Sequence, residues 1–279
     1  MKKINLLDDR LRKKFNESIA MISTFISLLL IFCEIPNEYK KSCGVFFILI
    51  LIGYYFYLWK KYCSLEDIEI KIDGSVVNIK SGDLFKQRGY KAIAFNEYYD
   101  TQVDDVIISG RSLNGLFITQ HLTDDTVNDL NEYISKYPFS PEEVLDENIS
   151  RKCGKTQRYS IGSICVYNNY LLTAFSKFNV QNMAYLTMPD YLGFLIRFWD
   201  NVNRVYSQES VSVPIFGSGI TRIKEHKNIS DEELLKIMLW TFRISEMRFK
   251  YPAKLTIVIH KDKIKNINLL DIDLSRNGI

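Results

Sequence analysis

Val213 to Phe216 suits a buried strand, and it runs directly into Gly217-Ser218-Gly219 and then Ile220-Thr221. Glycines at that point can leave successive backbone amides uncovered, and such amides form a concavity for an anionic group such as a phosphate. The plainer alternative is a tight turn that needs residues without a Cβ. Two further polar segments follow strand-like runs in the same way. Ser81-Gly82-Asp83 follows VVNIK, and Asn96 with EYYDTQVDD follows KAIAF. Asp83 either caps the turn before LFKQ or accepts a hydrogen bond from the exocyclic amine of a base. Asn96 either satisfies a strand end or binds a sugar hydroxyl. Asp100, Asp104 and Asp105 are either a solvated acidic loop or, with Tyr98, Tyr99 and Thr101, a pocket wall joining aromatic surface to carboxylate.

Other chemistry leaves little trace. The five cysteines form no CxxC pair and read as reduced thiols of an intracellular protein. His121, His226 and His260 lie far apart, without metal-ligand spacing. No Ser/His/Asp or Cys/His arrangement stands out, so neither a metal nor a cofactor is expected. The net charge of +3 is unevenly placed: residues 1 to 61 hold ten Lys/Arg and five Asp/Glu, leaving 26 and 28 for the rest. The larger part therefore lacks the basic footprint of a nucleic-acid partner.

The elements that must position these segments alternate between strand and helix. Glu66 to Ile72 and Val76 to Ile79 suggest a hairpin turned at Gly74, and Lys91 to Phe95 a short buried strand. Ser160 to Tyr167 and Tyr170 to Phe175 pair around Asn168-Asn169, followed by strands at 211 to 216 and 255 to 260. Helix starts are written at Ser140-Pro141-Glu142-Glu143, Thr187-Met188-Pro189-Asp190 and Ser230-Asp231-Glu232-Glu233. This is an α/β chain with a mixed, largely parallel sheet between helical layers. In such sheets ligands bind beyond the carboxyl ends of the strands, where all three polar segments lie.

The first sixty residues differ in kind. Ser18 to Cys33 and Ser42 to Trp59 carry no charge. As helices they would be roughly 24 and 27 Å long, slightly short for a hydrocarbon core of about 30 Å. Lys/Arg on the tail and at Lys60-Lys61 place both ends of this hairpin in the cytoplasm, with EIPNEYKK outside. Tyr54, Tyr55, Tyr57 and Trp59 suit the headgroup belt. The expected division is a transmembrane hairpin over 1–61 and a cytoplasmic domain over 62–279.

NIKSGDLF, then AIAFN, then a polar loop, then VPIFGSGI resembles the macro domain, over about residues 66 to 260. That resemblance implies a domain for ADP-ribose-type nucleotides, with Asp83 reading adenine, Asn96 near the distal ribose and Gly217 to Thr221 around the diphosphate. The implied contacts are Asp83, Leu84, Asn96, Asp100, Thr101, Asp105, Gly217, Ser218, Gly219, Ile220 and Thr221. Loop shape around Tyr98, Tyr99 and Arg111 would set the choice of distal group. Ordinary macro domains carry an Asn-Ala-Ala-Asn run and a glycine-rich stretch, whereas here Asn96 leads into EYYD without glycines.

With two apolar helices in front, AFNEYYDTQVDDVIISGRSLNGLFI is more closely similar to the membrane-anchored macro-domain effectors (ThsA-like) of type II Thoeris anti-phage defence. The resemblance implies a nucleotide signal made by a TIR-domain enzyme, a sensor that breaks no bond, a homo-oligomer, and damage to the bacterial inner membrane. The alternatives are a membrane-tethered ADP-ribosyl hydrolase, with Asp100 or Asp105 as its carboxylate, and a passive ADP-ribose-binding scaffold.

Overall fold

Two-residue turns set much of the register. Asp73 and Gly74 both have positive φ, the signature of a hairpin turn matched to strand twist, and they join Ile72 to Ser75. The computed structural model describes residues 4–219, 221–224, 226 and 228–275. In chain order these form α1 (Asp9–Phe32), α2 (Asn37–Cys63), β1 (Asp67–Ile72), β2 (Ser75–Ser81), β3 (Tyr90–Asn96), α3 (Leu113–His121) and α4 (Asp124–Lys136). Next come β4 (Val144–Leu145), β5 (Arg158–Tyr159), β6 (Ile164–Tyr167), β7 (Tyr170–Phe178), β8 (Ala184–Leu186) and α5 (Met188–Val205). The chain continues through β9 (Val211–Pro214), β10 (Arg222–Ile223), α6 (Asp231–Ile244), β11 (Leu255–Ile259) and α7 (Leu269–Ser275).

The main sheet runs β1-β2-β11-β9-β3-β7-β8-β10, with β6 paired to β7. Its central strands, β2, β11, β9, β3 and β7, are mutually parallel, while β1, β6 and β8 pair antiparallel. Side chains alternate between two cores. Ala92, Leu171, Val213 and Ile257 face the layer of α5 and α6, whereas Ile93, Phe95, Leu172 and Val258 face the layer of α3 and α4. A parallel sheet covered on both faces is the expected α/β architecture.

Several elements depart from the sequence expectations. Ser140 caps only a single 3-10 turn, Pro141–Glu143, because Val144 turns extended and pairs with Tyr159. The strand after Val211 ends at Pro214, which has no N–H to continue a ladder, although Ile215 and Phe216 remain buried. The helices α3 and α4 had no sequence counterpart.

The N-terminal helices are also longer than the apolar runs inside them. At 24 and 27 residues they span about 36 and 40 Å, because charged turns such as Asp9–Glu17 and Asn37–Lys41 extend them beyond the uncharged runs, whose own length is unchanged. Both are long and apolar enough to cross a membrane, and almost none of their apolar windows is buried by the rest of the chain. Met21, Phe25, Ile31, Val45, Phe46 and Leu49 are exposed, unlike the core helices of a water-soluble domain. At the hairpin base, Ile4, Leu11, Leu58 and Leu270 form a small cluster. There the Trp59 indole donates to the Ile4 carbonyl at 2.8 Å and the Tyr55 hydroxyl donates to Leu6. Those two aromatics therefore bind the chain's own N-terminal segment.

Candidate nucleotide-binding cavity

Chain direction creates the crevice. From β9 the chain leaves toward α6 on one face of the sheet, and from adjacent β3 it leaves toward α3 on the other. Diverging connections at neighbouring strands open a cleft beyond their carboxyl ends. A cavity of about 250 Å³ lies there. Its walls come from the ends of β3 and β7, the segment 107–114, and residues 214–219 with Thr221.

The segment from β3 to α3 is fixed by its own side chains. Asn96 accepts from the amides of Tyr98 at 3.0 Å and Asp100 at 3.3 Å, and its Nδ2 donates to Asp100 Oδ2 at 2.9 Å. Asp100 is 1% exposed and receives both Arg151 guanidinium nitrogens, at 3.1 and 2.7 Å, with the Lys155 amide at 2.8 Å. The Arg151 guanidinium sits 3.8 Å from the centre of the Tyr98 ring, a cation–π contact in a desolvated setting. Lys155 donates its ammonium to the Tyr99 carbonyl, and burial pulls its pKa down to about 8 even though Asp100 opposes the shift. Further along, Asp104 accepts from the amides of Val106 and Ile107, and Asp105 from that of Gly110. Asp105 has φ +59, a conformation short polar residues tolerate, so up to Asp105 the loop is shaped by aspartates without glycines.

The loop ends in α3. Ser112 caps it by accepting from the Gly115 amide at 2.9 Å. A Cβ on Gly115 would sit 2.2 Å from the Ser109 carbonyl oxygen, so only glycine allows this approach. Ser109, Arg111, Ser112 and Asn114 consequently line the cavity at a helix N-terminus, where partial positive charge gathers.

The opposite wall is held more sparingly. Tyr191 donates to the Phe216 carbonyl at 3.0 Å, and the Lys263 ammonium donates to the Ser218 carbonyl. Gly217 has φ +81, and the Ser218 amide closes its turn onto Ile215 at 3.3 Å. That amide is thus engaged within the turn, contrary to the expectation of an open run of donors. Gly219 differs: a Cβ there would meet nothing within 4 Å.

Of the residues singled out in the sequence, Asn96, Gly217, Ser218, Gly219 and Thr221 line the cavity. Ile220 lies outside the described residues. Asp83 stands at the same edge, beyond the end of β2 and two strands from β9, where it caps the 3-10 turn Leu84–Lys86 through the Phe85 amide. Leu84 is buried in the core beside α3. Asp100, Thr101 and Asp105 do not line the cavity: Asp100 is locked to Arg151, the Thr101 hydroxyl donates to Asn131, and Asp105 holds Gly110. Tyr98 and Tyr99 are buried; Tyr99 donates to the Ser163 carbonyl at 2.9 Å, and only Arg111 of that trio reaches the cavity. Asn114, Ser176 and Phe178 line it without having been anticipated. The N-cap pattern Ser112-Leu113-Asn114-Gly115 was the available signal for the first of them.

The lining is rich in hydrogen-bonding and aromatic groups. It offers hydroxyls, carboxamides, aromatic surface and one guanidinium, and among its described residues there is no Asp, Glu, His or Cys. Glu97, next to Asn96, is directed to the Phe178 amide at 2.9 Å, and burial raises its pKa.

Solved structures that the chain resembles include the Oceanobacillus iheyensis macrodomain with ADP (13% identity, 76% of this chain and 98% of that one, TM-score 0.45) and the same macrodomain with MES bound (13%, 76% and 95%, TM-score 0.45). The chain is 35% identical to the Thoeris protein ThsA of Bacillus amyloliquefaciens (strain Y2), across 98% of this chain and 93% of that protein. The family described as "Thoeris protein ThsA, Macro domain" matches residues 77–260, and the chain belongs to that family.

Proposed function

We propose that this protein is the membrane-anchored effector of a Thoeris anti-phage system, and that its cavity senses an ADP-ribose-type signal supplied by a TIR-domain enzyme. The observation that carries this reading is the cavity between β9 and β3, where a helix N-terminus, Arg111 and hydroxyl groups converge without an acid–base pair. At about 250 Å³ it holds only part of a dinucleotide-sized ligand. The remainder runs along the strand ends toward Asp83, which presents a carboxylate to an adenine amine.

The lining favours retention over turnover. A hydrolase needs a carboxylate within reach of the sugar, and both candidates, Asp100 and Asp105, are committed elsewhere. A path to the helices begins at the glycine loop. Lys263 joins Ser218 to Asp231, Glu232 accepts from the Asn268 amide, and Asp271 of α7 pairs with Arg10 of α1 at 2.8 Å. Only Ser64 to Glu66 separate α2 from β1. Ligand that favours one arrangement of this path shifts the hairpin with it, the hairpins assemble as homo-oligomers, and the inner membrane loses integrity. In this reading residues 1–61 are the transmembrane hairpin and 62–279 the sensor, with both termini cytoplasmic.

The test is the full chain in detergent, titrated calorimetrically with ADP-ribose and followed by mass spectrometry of the recovered nucleotide. Stoichiometric binding with intact ligand supports a sensor, and conversion of an ADP-ribosylated substrate would establish the hydrolase instead. Gly217→Glu, which places bulk and negative charge in the cavity wall, removes binding from a protein that still melts cooperatively. Liposomes carrying the chain leak when the signal is added; leakage indifferent to every ADP-ribose-type ligand defeats the effector reading.

A further inference from the structure

A second cavity, of about 610 Å³, lies where the hairpin enters the sheet domain. It is lined by Lys60 from the last turn of α2 and by Lys261 and Lys265 from the segment after β11. Among the described residues these three ammonium groups form no ion pair and no hydrogen bond. Neighbouring cations are committed: Lys236 pairs with Glu232 and Asp271, Lys263 with Asp231, and Arg10 with Asp271. The negative end of the α2 dipole accounts for Lys60, but not for two further lysines brought to the same cavity by another segment. Cations gathered in this way repel one another until an anion joins them.

Position along the chain identifies the anion. Lys60 immediately follows the uncharged run Ser42 to Trp59, so the cavity opens where a helix long and apolar enough to cross a membrane leaves its apolar stretch. Lysines just cytoplasmic of a span meet the phosphates of an anionic leaflet. Part of the lining is apolar: Ile4, Ile264 and Leu269 reach it and are otherwise buried, a surface that suits the glycerol backbone beneath a headgroup. Two carboxylates also line it, Glu66 and Asp262, the latter 90% exposed and 3.5 Å from the His260 Nδ1. Acceptors beside a phosphate suit a headgroup that also carries hydroxyls.

We infer that this cavity binds the phosphate of an anionic phospholipid headgroup, such as that of phosphatidylglycerol, between Lys60, Lys261 and Lys265. The inference rests on the reading given above of residues 1–61 as a membrane hairpin with the sheet domain on its cytoplasmic side. A lipid held there ties the end of α2 to the segment after β11. That segment also carries Lys263, whose ammonium donates to the Ser218 carbonyl in the wall of the nucleotide cavity. Headgroup and nucleotide therefore act on one short stretch of chain.

The experiment is native mass spectrometry of the full chain released from detergent micelles doped with phosphatidylglycerol or with phosphatidylcholine of the same acyl chains. Wild type retains phosphatidylglycerol and sheds phosphatidylcholine. The triple variant Lys60→Gln, Lys261→Gln, Lys265→Gln lowers the retained lipid at least about ten-fold, since each lysine near an anionic surface contributes about five-fold. A control variant, Lys71→Gln, Lys152→Gln, Lys250→Gln, removes the same charge from exposed positions elsewhere and keeps the wild-type retention. Equal retention of the two lipids, or equal loss in the two triple variants, overturns the inference. Displacement of the lipid by an equal concentration of soluble glycerol phosphate would make this a free-phosphate site and overturns it as well. The hairpin reading fails by a separate outcome, release of the chain from the membrane fraction of cells by an alkaline carbonate wash.

Discussion

The two walls of the cavity are built on opposite plans. The wall from Asn96 to Asn114 is bound to itself and to Arg151 and Lys155 by a dense set of buried hydrogen bonds. Among the described residues, the wall of Ile215 to Gly219 with Thr221 is supported by one tyrosine, one lysine and a glycine with positive φ. Order on one side and sparse support on the other would suit the sensor proposed above. A preformed surface selects the ligand at little ordering cost, and a lightly held one can change state when ligand arrives. Lys263 belongs to the second wall and stands at the head of the path toward α7 and α1.

The most forceful way to break this contrast is to dissolve the rigid wall. Arg151 and Asp100 have side chains 5% and 1% exposed. Arg151→Met leaves the Asp100 carboxylate buried without its counterion, which costs about 3–5 kcal/mol and lowers the denaturation midpoint accordingly. Adding Asp100→Asn to that variant restores part of the loss, because the stranded charge is gone. A single variant within about 1 kcal/mol of wild type, the scale of an exposed pair, would mean that the first wall is not organised by this one.

Much of the first wall was invisible in the sequence, and the reason is distance along the chain. Asp100 and Arg151 are 51 residues apart, and no local pattern links them. Read alone, Asp100 beside Tyr98 and Tyr99 resembled a pocket carboxylate; its partner turned it into a brace. Strands such as β1, β3 and β11 were legible because alternation and apolar runs are local. Helix α3 was missed because LNGLFITQ is buried on several sides at its start and shows no amphipathic stripe. Ser140 to Glu143 had a correct cap but no helix, since the following residues pair with Arg158 and Tyr159. Of the cavity, the late glycine loop was readable, while Asn114 had only the N-cap pattern at Ser112 to mark it and its buried, unpaired Oδ1 was not legible. The need for a glycine turn is written in composition, while an unsatisfied acceptor exists only once the surroundings are assembled.

A smaller perturbation tests the same wall by pH. Burial holds Lys155 near a pKa of about 8, below its ordinary 10.5. Between those values the unfolded chain binds the proton more readily than the folded one, so this site makes stability rise with pH. Its contribution is fully present above about 10.5, declines as pH falls, and is exhausted near 8. Its slope approaches about 1.4 kcal/mol per pH unit. Lys155→Met removes that slope, and urea titrations of both proteins across roughly pH 8 to 10 measure it. Parallel curves for the two proteins would place Lys155 in solvent rather than inside the wall.

The smallest expected effects separate the two glycines of the second wall. Gly217 adopts φ +81 at a turn, with Tyr191 and Leu234 within ordinary contact of any added Cβ. Gly217→Ala therefore strains the backbone by about 1–2 kcal/mol and destabilises the apo protein. Gly219 has no such φ, and a methyl there points into open space, so Gly219→Ala is neutral or stabilising by up to about 1 kcal/mol. Among the described residues, nothing in the packing demands glycine at 219. If a ligand approaches that backbone closely, Gly219→Ala weakens ADP-ribose binding a few-fold while the melting temperature holds or rises. Loss of affinity without loss of stability would mark Gly219 as answering to the ligand and Gly217 to the fold. Unchanged affinity would move the diphosphate away from this tip and leave Gly217 as the turn's only structural demand.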